Sequence, residues 1–254
     1  MKTRIKKRRG IYILPSLFTT GNIFCGFYAF IAVSNGEFYF AAWALILAVV
    51  FDGLDGRIAR LTKTTSKFGV EFDSLADIIS FGMAPAFMVY VWELKPFGRV
   101  GWMAAFLFLI CSALRLARFN AMDPNFKSDH FIGLPTPASA SAIASIVIFS
   151  ESQLLAPLPP VFLVIVVYAL AFLMVSNIKY PAFKKFALKR RVPFARFLFV
   201  VLVFYLFATI PRVALCFISF TYVLLGPLGL LISLFHKKPV AGTAPKTQDH
   251  LENP

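Results

Sequence analysis

The sequence predicts an all-α fold, a polytopic membrane bundle of about eight transmembrane helices with both termini in the cytoplasm. Three observations carry this. Of 254 residues, 59% are hydrophobic, 15% are charged and 30 are Phe, and the mean hydropathy is +0.75, values that exclude an ordinary soluble domain. Apolar runs long enough to cross a bilayer recur along the chain. The connections between them alternate between strongly basic and nearly base-free, as expected when basic loops stay in the cytoplasm.

Met1 to Gly10 carries Lys2, Arg4, Lys6, Lys7, Arg8 and Arg9 ahead of an apolar run from Ile11 to about Val33. The tail resembles the start of a signal peptide, but the run is long enough to span and lacks a convincing cleavage site, so it is expected to be retained. Ser34 to Glu37 is a base-free turn. A second span runs from Phe38 through Asp52 to Leu61, a basic segment follows to Lys67, and a third covers Gly69 to Leu94. The fourth, Val100 to Asn120, ends in Arg115-Leu-Ala-Arg118-Phe-Asn120. A polar connection, Ala121 to Pro135, leads to a fifth near Thr136 to Ser150, whose Ala and Ser content suggests close helix packing. After Glu151 to Pro160 comes a sixth, Val161 to Val175, then a basic loop with Lys184, Lys185, Lys189, Arg190, Arg191 and Arg196. Spans near Phe197 to Ile210 and Val213 to Phe235 close the membrane part, and His236 to Pro254 reads as a disordered tail.

The net charge of +14 does not indicate nucleic acid. The bases cluster between apolar spans without an aromatic-basic RNA motif, so topology and anionic lipid headgroups account for them. Lys95, Arg99 and Arg212 depart from the charge rule. Cys25, Cys111 and Cys216 lie inside apolar runs without ligand spacing and read as buried hydrophobes.

The polar island Asp52 to Asp77, DGLDGRIARLTKTTSKFGVEFDSLAD, organises the rest. Asp52, Asp55, Asp73 and Asp77 fall on the ends of two membrane helices, where carboxylates are costly and usually functional. Asp52 and Asp55 are three apart and Asp73 and Asp77 four apart, so each pair shares a helix face. Four converging carboxylates would repel one another unless cations sat between them, and oxygen-only ligands suit magnesium or manganese. Gly56 and Ala59 leave room for a ligand against the helix backbone, and Arg60 offers a donor fork suited to phosphate. Metals, a glycine gap and an arginine together describe a diphosphate site.

Asp52-x2-Asp55-Gly56-x2-Ala59-Arg60-x8-Gly69-x3-Asp73-x3-Asp77 resembles the complete signature of the CDP-alcohol phosphatidyltransferase family. The resemblance covers about Arg9 to Pro181, and the last two spans look like an extension. It implies a catalytic membrane domain over 11–181, preceded by a basic cytoplasmic tail (1–10) and followed by a basic loop with two extra helices (182–235) and the tail 236–254. It also implies that the diphosphate of a CDP-linked lipid bridges two divalent metal ions while an alcohol displaces CMP. By match to the family pattern, Asp52 and Asp73 would touch both metals, Asp55 one, and Asp77 the other while acting as base. Gly56 and Gly69 would admit the cytidine and its diphosphate, and Arg60 and Ser66 would meet phosphate. Asn22, after Pro15 and Thr19, resembles the nucleotide-side asparagine. Family members like this one tend to be homodimers.

The signature does not choose the acceptor, which within the family can be serine, glycerol phosphate, inositol derivatives, choline or ethanolamine. Ser74-Leu-Ala-Asp77-Ile-Ile-Ser80-Phe-Gly82-Met-Ala-Pro85, Arg115-Leu-Ala-Arg118-Phe-Asn120, Gly133-Leu-Pro135 and Ser176-Asn-Ile-Lys179-Tyr-Pro181 resemble segments of the serine-accepting bacterial members. The expected partners are therefore CDP-diacylglycerol, L-serine and membrane lipids, with the site on the cytoplasmic side of the cell membrane. The serine carboxylate calls for a cation, which Arg115 or Arg118 can supply beside Asn120. Glycerol 3-phosphate would call for one too, and snorkelling at a helix end also accounts for such arginines. His130, His236 and His250 form no phosphohistidine pattern, so direct displacement is expected. A cation-coupled transporter is the rival from another class, but it predicts acidic groups at span centres and an internal repeat, and neither is seen.

Overall fold

A computed structural model describes residues 13–62, 66–121, 130–151, 159–181 and 209–235, together with residues 198, 201, 202 and 205. The basic tail 1–10, the loop 182–196 and the tail 236–254 lie outside the described residues, as does most of the expected span 197–210.

Two antiparallel helices, α1 (Ile13–Ser34) and α2 (Phe38–Thr62), form the most extensive helix pair. Between them Gly36 takes φ 78°, and Glu37 N donates to Ala32 O at 2.8 Å while Gly36 N donates to Val33 O at 3.0 Å. The turn needs a residue without Cβ, and these bonds satisfy the last carbonyls of α1. Ala29, Ala32, Ala41, Ala42 and Ala48 are buried, and such small side chains let membrane helices approach closely where lipid supplies no hydrophobic drive.

The third helix, α3, runs over Lys67–Phe97. Ser66 starts it, its Oγ accepting from Gly69 N at 3.0 Å, an N-cap in extended conformation. The helix is α-helical to Asp77, widens into a π turn over Ile78–Met83, and widens again over Tyr90–Leu94. The first widening immediately precedes Pro85, which lacks an N–H and crowds the preceding turn. Here α3 presses on α1: Ser80 Oγ donates to Asn22 O at 2.9 Å, and a Cβ on Gly26 would lie 2.9 Å from Ser80 Cα.

Next come α4 (Arg99–Ala121), β1 (His130–Ile132), α5 (Thr136–Ser150), α6 (Pro160–Val175), β2 (Lys179–Pro181) and α7 (Pro211–Phe235). α5 is the centre of the bundle, with ten of its 15 residues buried. It packs against α2 and α7, and α4 packs against α6. The Ala and Ser content of α5 thus serves the close packing expected of it.

The strand pair departs from the all-helical expectation. β1 and β2 are antiparallel, Phe131 facing Tyr180, and the pairing continues as Gly133 N donates to Ile178 O at 2.8 Å. Two proline-bounded connections cannot continue their helices, so their backbone groups satisfy each other. Tyr180 on β2 is fully buried and donates from Oη to Val223 O of α7 at 3.1 Å. Burial, with Tyr222 beside it, pushes the Tyr180 phenol up to about 12, so the hydroxyl keeps its proton and its donor role.

Five described helices are long and apolar enough to cross a membrane: α1 (Pro15–Ser34), α2, α3, α4 and α7 (Pro211–Ile232). α5 and α6 are apolar but shorter, because Pro135 and Pro159 cap their first turns; at about 1.5 Å per residue they fall short of a bilayer core of roughly 30 Å. Among the described residues the protein is an all-helical integral membrane bundle apart from one strand pair.

The Gly26 and Ser80 approach generates a prediction. Gly26→Val should wedge α1 from α3 and cost roughly 1–3 kcal/mol, measured as a lowered unfolding midpoint in detergent. Gly53→Ala, which meets no neighbour within 4 Å and removes a helix-interior glycine, should not lower that midpoint.

Candidate active site

Three helix ends meet at one cleft of ≈ 160 Å³. α1 contributes Pro15, Ser16 and Thr19, α2 contributes Asp55, Gly56, Ala59 and Arg60, and the start of α3 contributes Gly69, Val70 and Asp73, with the capping Ser66 ahead of them. The helical spacing noted in the sequence explains the convergence: Asp52 and Asp55 share one face of α2, and Asp73 and Asp77 one face of α3. One carboxylate oxygen from each of Asp52, Asp55 and Asp73 lies within 4.8 Å of the others.

Asp77, one turn further along α3 and outside the cleft lining, is 8% exposed, and Asp55 is only 3% exposed. The carboxyl groups of Asp52 and Asp77 are close enough to interact directly. α1 supplies the polar side chains that hold this row. Thr19 Oγ1 donates to Asp55 Oδ2 at 3.0 Å, and Asn22 Nδ2 donates to Asp77 Oδ1 at 3.4 Å. Thr19 and Asn22 are three apart and so point to the same side of α1. The hydrogen bond from Thr19 to Asp55 was not legible in the sequence; the i, i+3 pairing of Thr19 with Asn22 is the signal that could have revealed it.

The donor set fits divalent cations. It is made only of carboxylate oxygens, which hard ions prefer, and Asp73 Oδ1 is buried without a hydrogen-bond partner among the described residues. A buried acceptor left unmatched is costly unless something completes it.

Of the residues expected to meet the CDP-lipid, Gly56, Arg60, Ser66 and Gly69 line the cleft together, while Asn22 sits beside Asp77 at the deep end. A Cβ on Gly56 would lie 3.5 Å from Arg60 Nη1, so the missing side chain leaves the guanidinium room over that turn. Arg60 and Asp55 interact electrostatically. The cleft also takes in the N-terminus of α3, whose free N–H groups favour anions.

The residues expected at the acceptor separate. Arg115 is half-buried and close enough to interact electrostatically with Asp77 and Tyr222, and its Nε is buried without a partner among the described residues. Arg118 is exposed and donates from Nη2 to Asn177 Oδ1 at 2.8 Å and from Nη1 to Val175 O at 3.4 Å, tying α4 to the end of α6. Asn120 Nδ2 donates to Ser74 Oγ at 2.9 Å, tying α4 to α3. The cysteines are free, with Cys25 and Cys111 buried.

Comparison with known proteins agrees with this geometry. The sequence profile of the CDP-alcohol phosphatidyltransferase family matches residues 12–175. A Helicobacter pylori protein (strain ATCC 700392 / 26695) named CDP-diacylglycerol--serine O-phosphatidyltransferase is 45% identical over 177 residues, 69% of this chain and 74% of that protein. Proteins of the same name from Methanocaldococcus jannaschii and Bacillus subtilis (strain 168) are 36% identical over 69% of this chain and 77% of that protein, and 33% identical over 68% and 93%, respectively. With the signature filled from Asp52 to Asp77, the carboxylates of Asp52, Asp55 and Asp73 gathered together and the profile spanning α1 to α6, the chain belongs to the CDP-alcohol phosphatidyltransferase family and is a membrane-embedded transferase of phosphatidyl groups from CDP-alcohols.

Proposed function

We propose that the enzyme transfers the phosphatidyl group of CDP-diacylglycerol to the hydroxyl of L-serine, releasing CMP and forming phosphatidylserine. The observation that carries this reading is the carboxylate row Asp52, Asp55, Asp73, running from the cleft of Gly56, Arg60, Ser66 and Gly69 at one end to Asp77 and Arg115 at the other. The name shared by the relatives supports serine as the acceptor.

Asp52, Asp55, Asp73 and Asp77 are the residues that would hold two divalent ions, magnesium or manganese. Bound there, the ions would neutralise charge on the diphosphate and on the leaving CMP. Arg60 and the start of α3 bind the diphosphate, and Gly56 and Gly69 let the nucleotide approach the helix backbones. Asn22 orients Asp77 through its hydrogen bond. Arg115 receives the serine carboxylate. The serine hydroxyl oxygen then attacks the phosphorus of the diacylglycerol phosphate, and its proton passes to a carboxylate oxygen of Asp77. The bond from that phosphorus to the bridging oxygen breaks, and CMP departs with the electron pair.

In this reading Arg118 and Asn120 set the pose of the α4 end through Asn177 and Ser74 and touch serine only if those bonds open. The catalytic unit spans 11–181 and works as a homodimer, with the basic loops and both termini at the cytoplasmic face, where soluble serine is available.

Three outcomes are expected. Purified enzyme with CDP-diacylglycerol and Mg2+ or Mn2+ should release CMP with serine and not with glycerol 3-phosphate or inositol; release with another acceptor would refute serine, and EDTA should abolish the activity. Asp77→Asn should lower turnover by roughly 10²-fold or more while CDP-lipid still binds in equilibrium titration; unchanged turnover would remove Asp77 as the base. Thr19→Val leaves Asp55 without its hydroxyl partner, and the Mn2+ concentration for half-maximal activity should rise about tenfold or more.

A further inference from the structure

Five helices carry a polar side chain to one level of the bundle, and an apolar cluster fixes that level. Cys25 of α1, Ala48 of α2, Phe81 of α3 and Ala140 of α5 pack together as one buried group. Asn22 lies three residues from Cys25, and Asp52, Asp77 and Thr136 lie four from Ala48, Phe81 and Ala140. Each pair shares a helix face, so the four polar side chains stand about one turn from the cluster, all toward the site end. For Asn22 and Asp77 their hydrogen bond shows this directly. For Thr136 the backbone shows it. Leu134 N donates to Leu173 O at 3.0 Å, near the end of α6, and Asn177 just beyond that end is held by Arg118, two residues before Asn120 reaches Ser74 beside Asp73. α4 presses on α3 at the same depth. A Cβ on Gly82 would lie 3.1 Å from Ser112 Oγ, and Arg115, three residues on, is one turn nearer the site end.

Thr136 is fully buried, and its Oγ1 has no hydrogen-bond partner among the described residues; the same holds for Asn22 Oδ1 and Arg115 Nε. Unmatched buried polar atoms are costly, and these differ in kind: the amide oxygen accepts, the guanidinium N–H donates, and the hydroxyl can donate. We infer that Thr136 is a further acceptor-binding residue, its hydroxyl donating to the carboxylate of an amino-acid acceptor at the start of α5. This rests on the reading of serine as the acceptor. An α-amino acid brings an ammonium, which needs acceptors, and a carboxylate, which needs donors. Asn22 Oδ1 suits the first, and Thr136 Oγ1 with Arg115 suits the second. Thr136 opens α5, so the partial positive charge of that helix N-terminus falls beside the same carboxylate. Donors from two helices hold both carboxylate oxygens and thereby fix where the serine hydroxyl points. Arg115 is only half-buried, and a swing of its long side chain makes room for the acceptor beside the covered hydroxyl.

The test is steady-state kinetics on full-length protein in detergent, varying serine and CDP-diacylglycerol separately. Thr136→Val removes the hydroxyl at nearly constant shape. It should raise the KM for serine about tenfold, the effect of one hydrogen bond to a charged group, with kcat and the KM for CDP-diacylglycerol changed less than about twofold. Thr136→Ser, which keeps a hydroxyl, should bring the serine KM back to within about threefold of the unsubstituted enzyme. An unchanged serine KM in Thr136→Val, an equal rise in both KM values, a loss confined to kcat, or no recovery in Thr136→Ser would overturn the inference. The acceptor preference of the unsubstituted enzyme separates it from its premise. If that enzyme releases CMP with another acceptor and not with serine, the acceptor reading falls and this one with it. If it uses serine while Thr136→Val keeps the serine KM, only the role of Thr136 falls. Should Thr136→Val fail to fold, Thr136→Ala takes its place with the same expected rise and the same overturning results.

Discussion

Gathering carboxylates inside a membrane bundle is the constraint on which the rest of this structure depends. Asp55 and Asp77 are nearly inaccessible, and in a medium of low dielectric each buried charge needs hydrogen bonds, an opposite charge or a cation. α1 meets part of that need. Thr19 and Asn22 each donate to one carboxylate, which ties α2 and α3 to α1. The unmatched Asp73 Oδ1 marks where protein partners stop.

The same constraint accounts for the irregularity of α3. Asp73 and Asp77 must face the cleft, while Ser80, less than one turn on, must press into the gap at Gly26 to bond Asn22 O. A π turn beginning at Ile78 changes the angular step between residues, which lets one helix serve both directions. The bond from Ser80 holds the backbone of Asn22, the residue whose side chain donates to Asp77. Backbone and side chain of one asparagine are thus secured by the same stretch of α3.

Much of this was legible in the sequence, for identifiable reasons. The bounds of α1, α2, α4 and α5 follow from long apolar runs interrupted by Gly36, Gly98 and Pro135, signals that do not depend on tertiary contacts. The carboxylate row was legible because three-residue and four-residue spacing leaves little freedom in where the side chains point. The strand pair was not, since three-residue extended segments carry no periodicity and pair only because two distant connections meet. Nor was the separation of Arg115 from Arg118. They lie three apart on α4 and look equivalent, and only the position of Asn177 gives Arg118 its structural tie, while Arg115 interacts electrostatically with Asp77. The count of eight spans rested on apolar runs and on the alternation of basic and base-free connections; five described helices are long and apolar enough to cross a membrane, and most of the expected span 197–210 lies outside the described residues.

The order of charges along the site bears on the direction of the proposed transfer. Arg60 interacts with Asp55 at the cleft, which Asp73 also lines, and Asp77, outside that lining, interacts electrostatically with Arg115. A diphosphate gains from Arg60 and from the N-terminus of α3, both at the cleft end, whereas a small zwitterionic acceptor gains from a single cation beside a base. In the proposed reading the leaving nucleotide at one end and the attacking alcohol at the other would favour the in-line arrangement that displacement requires. A second arginine at the cleft end would strengthen nucleotide binding without favouring either partner of the reaction. In the proposed reading an arginine at the Asp77 end would hold the acceptor where its hydroxyl can lose a proton, an asymmetry that would favour a carboxylate-bearing alcohol over water.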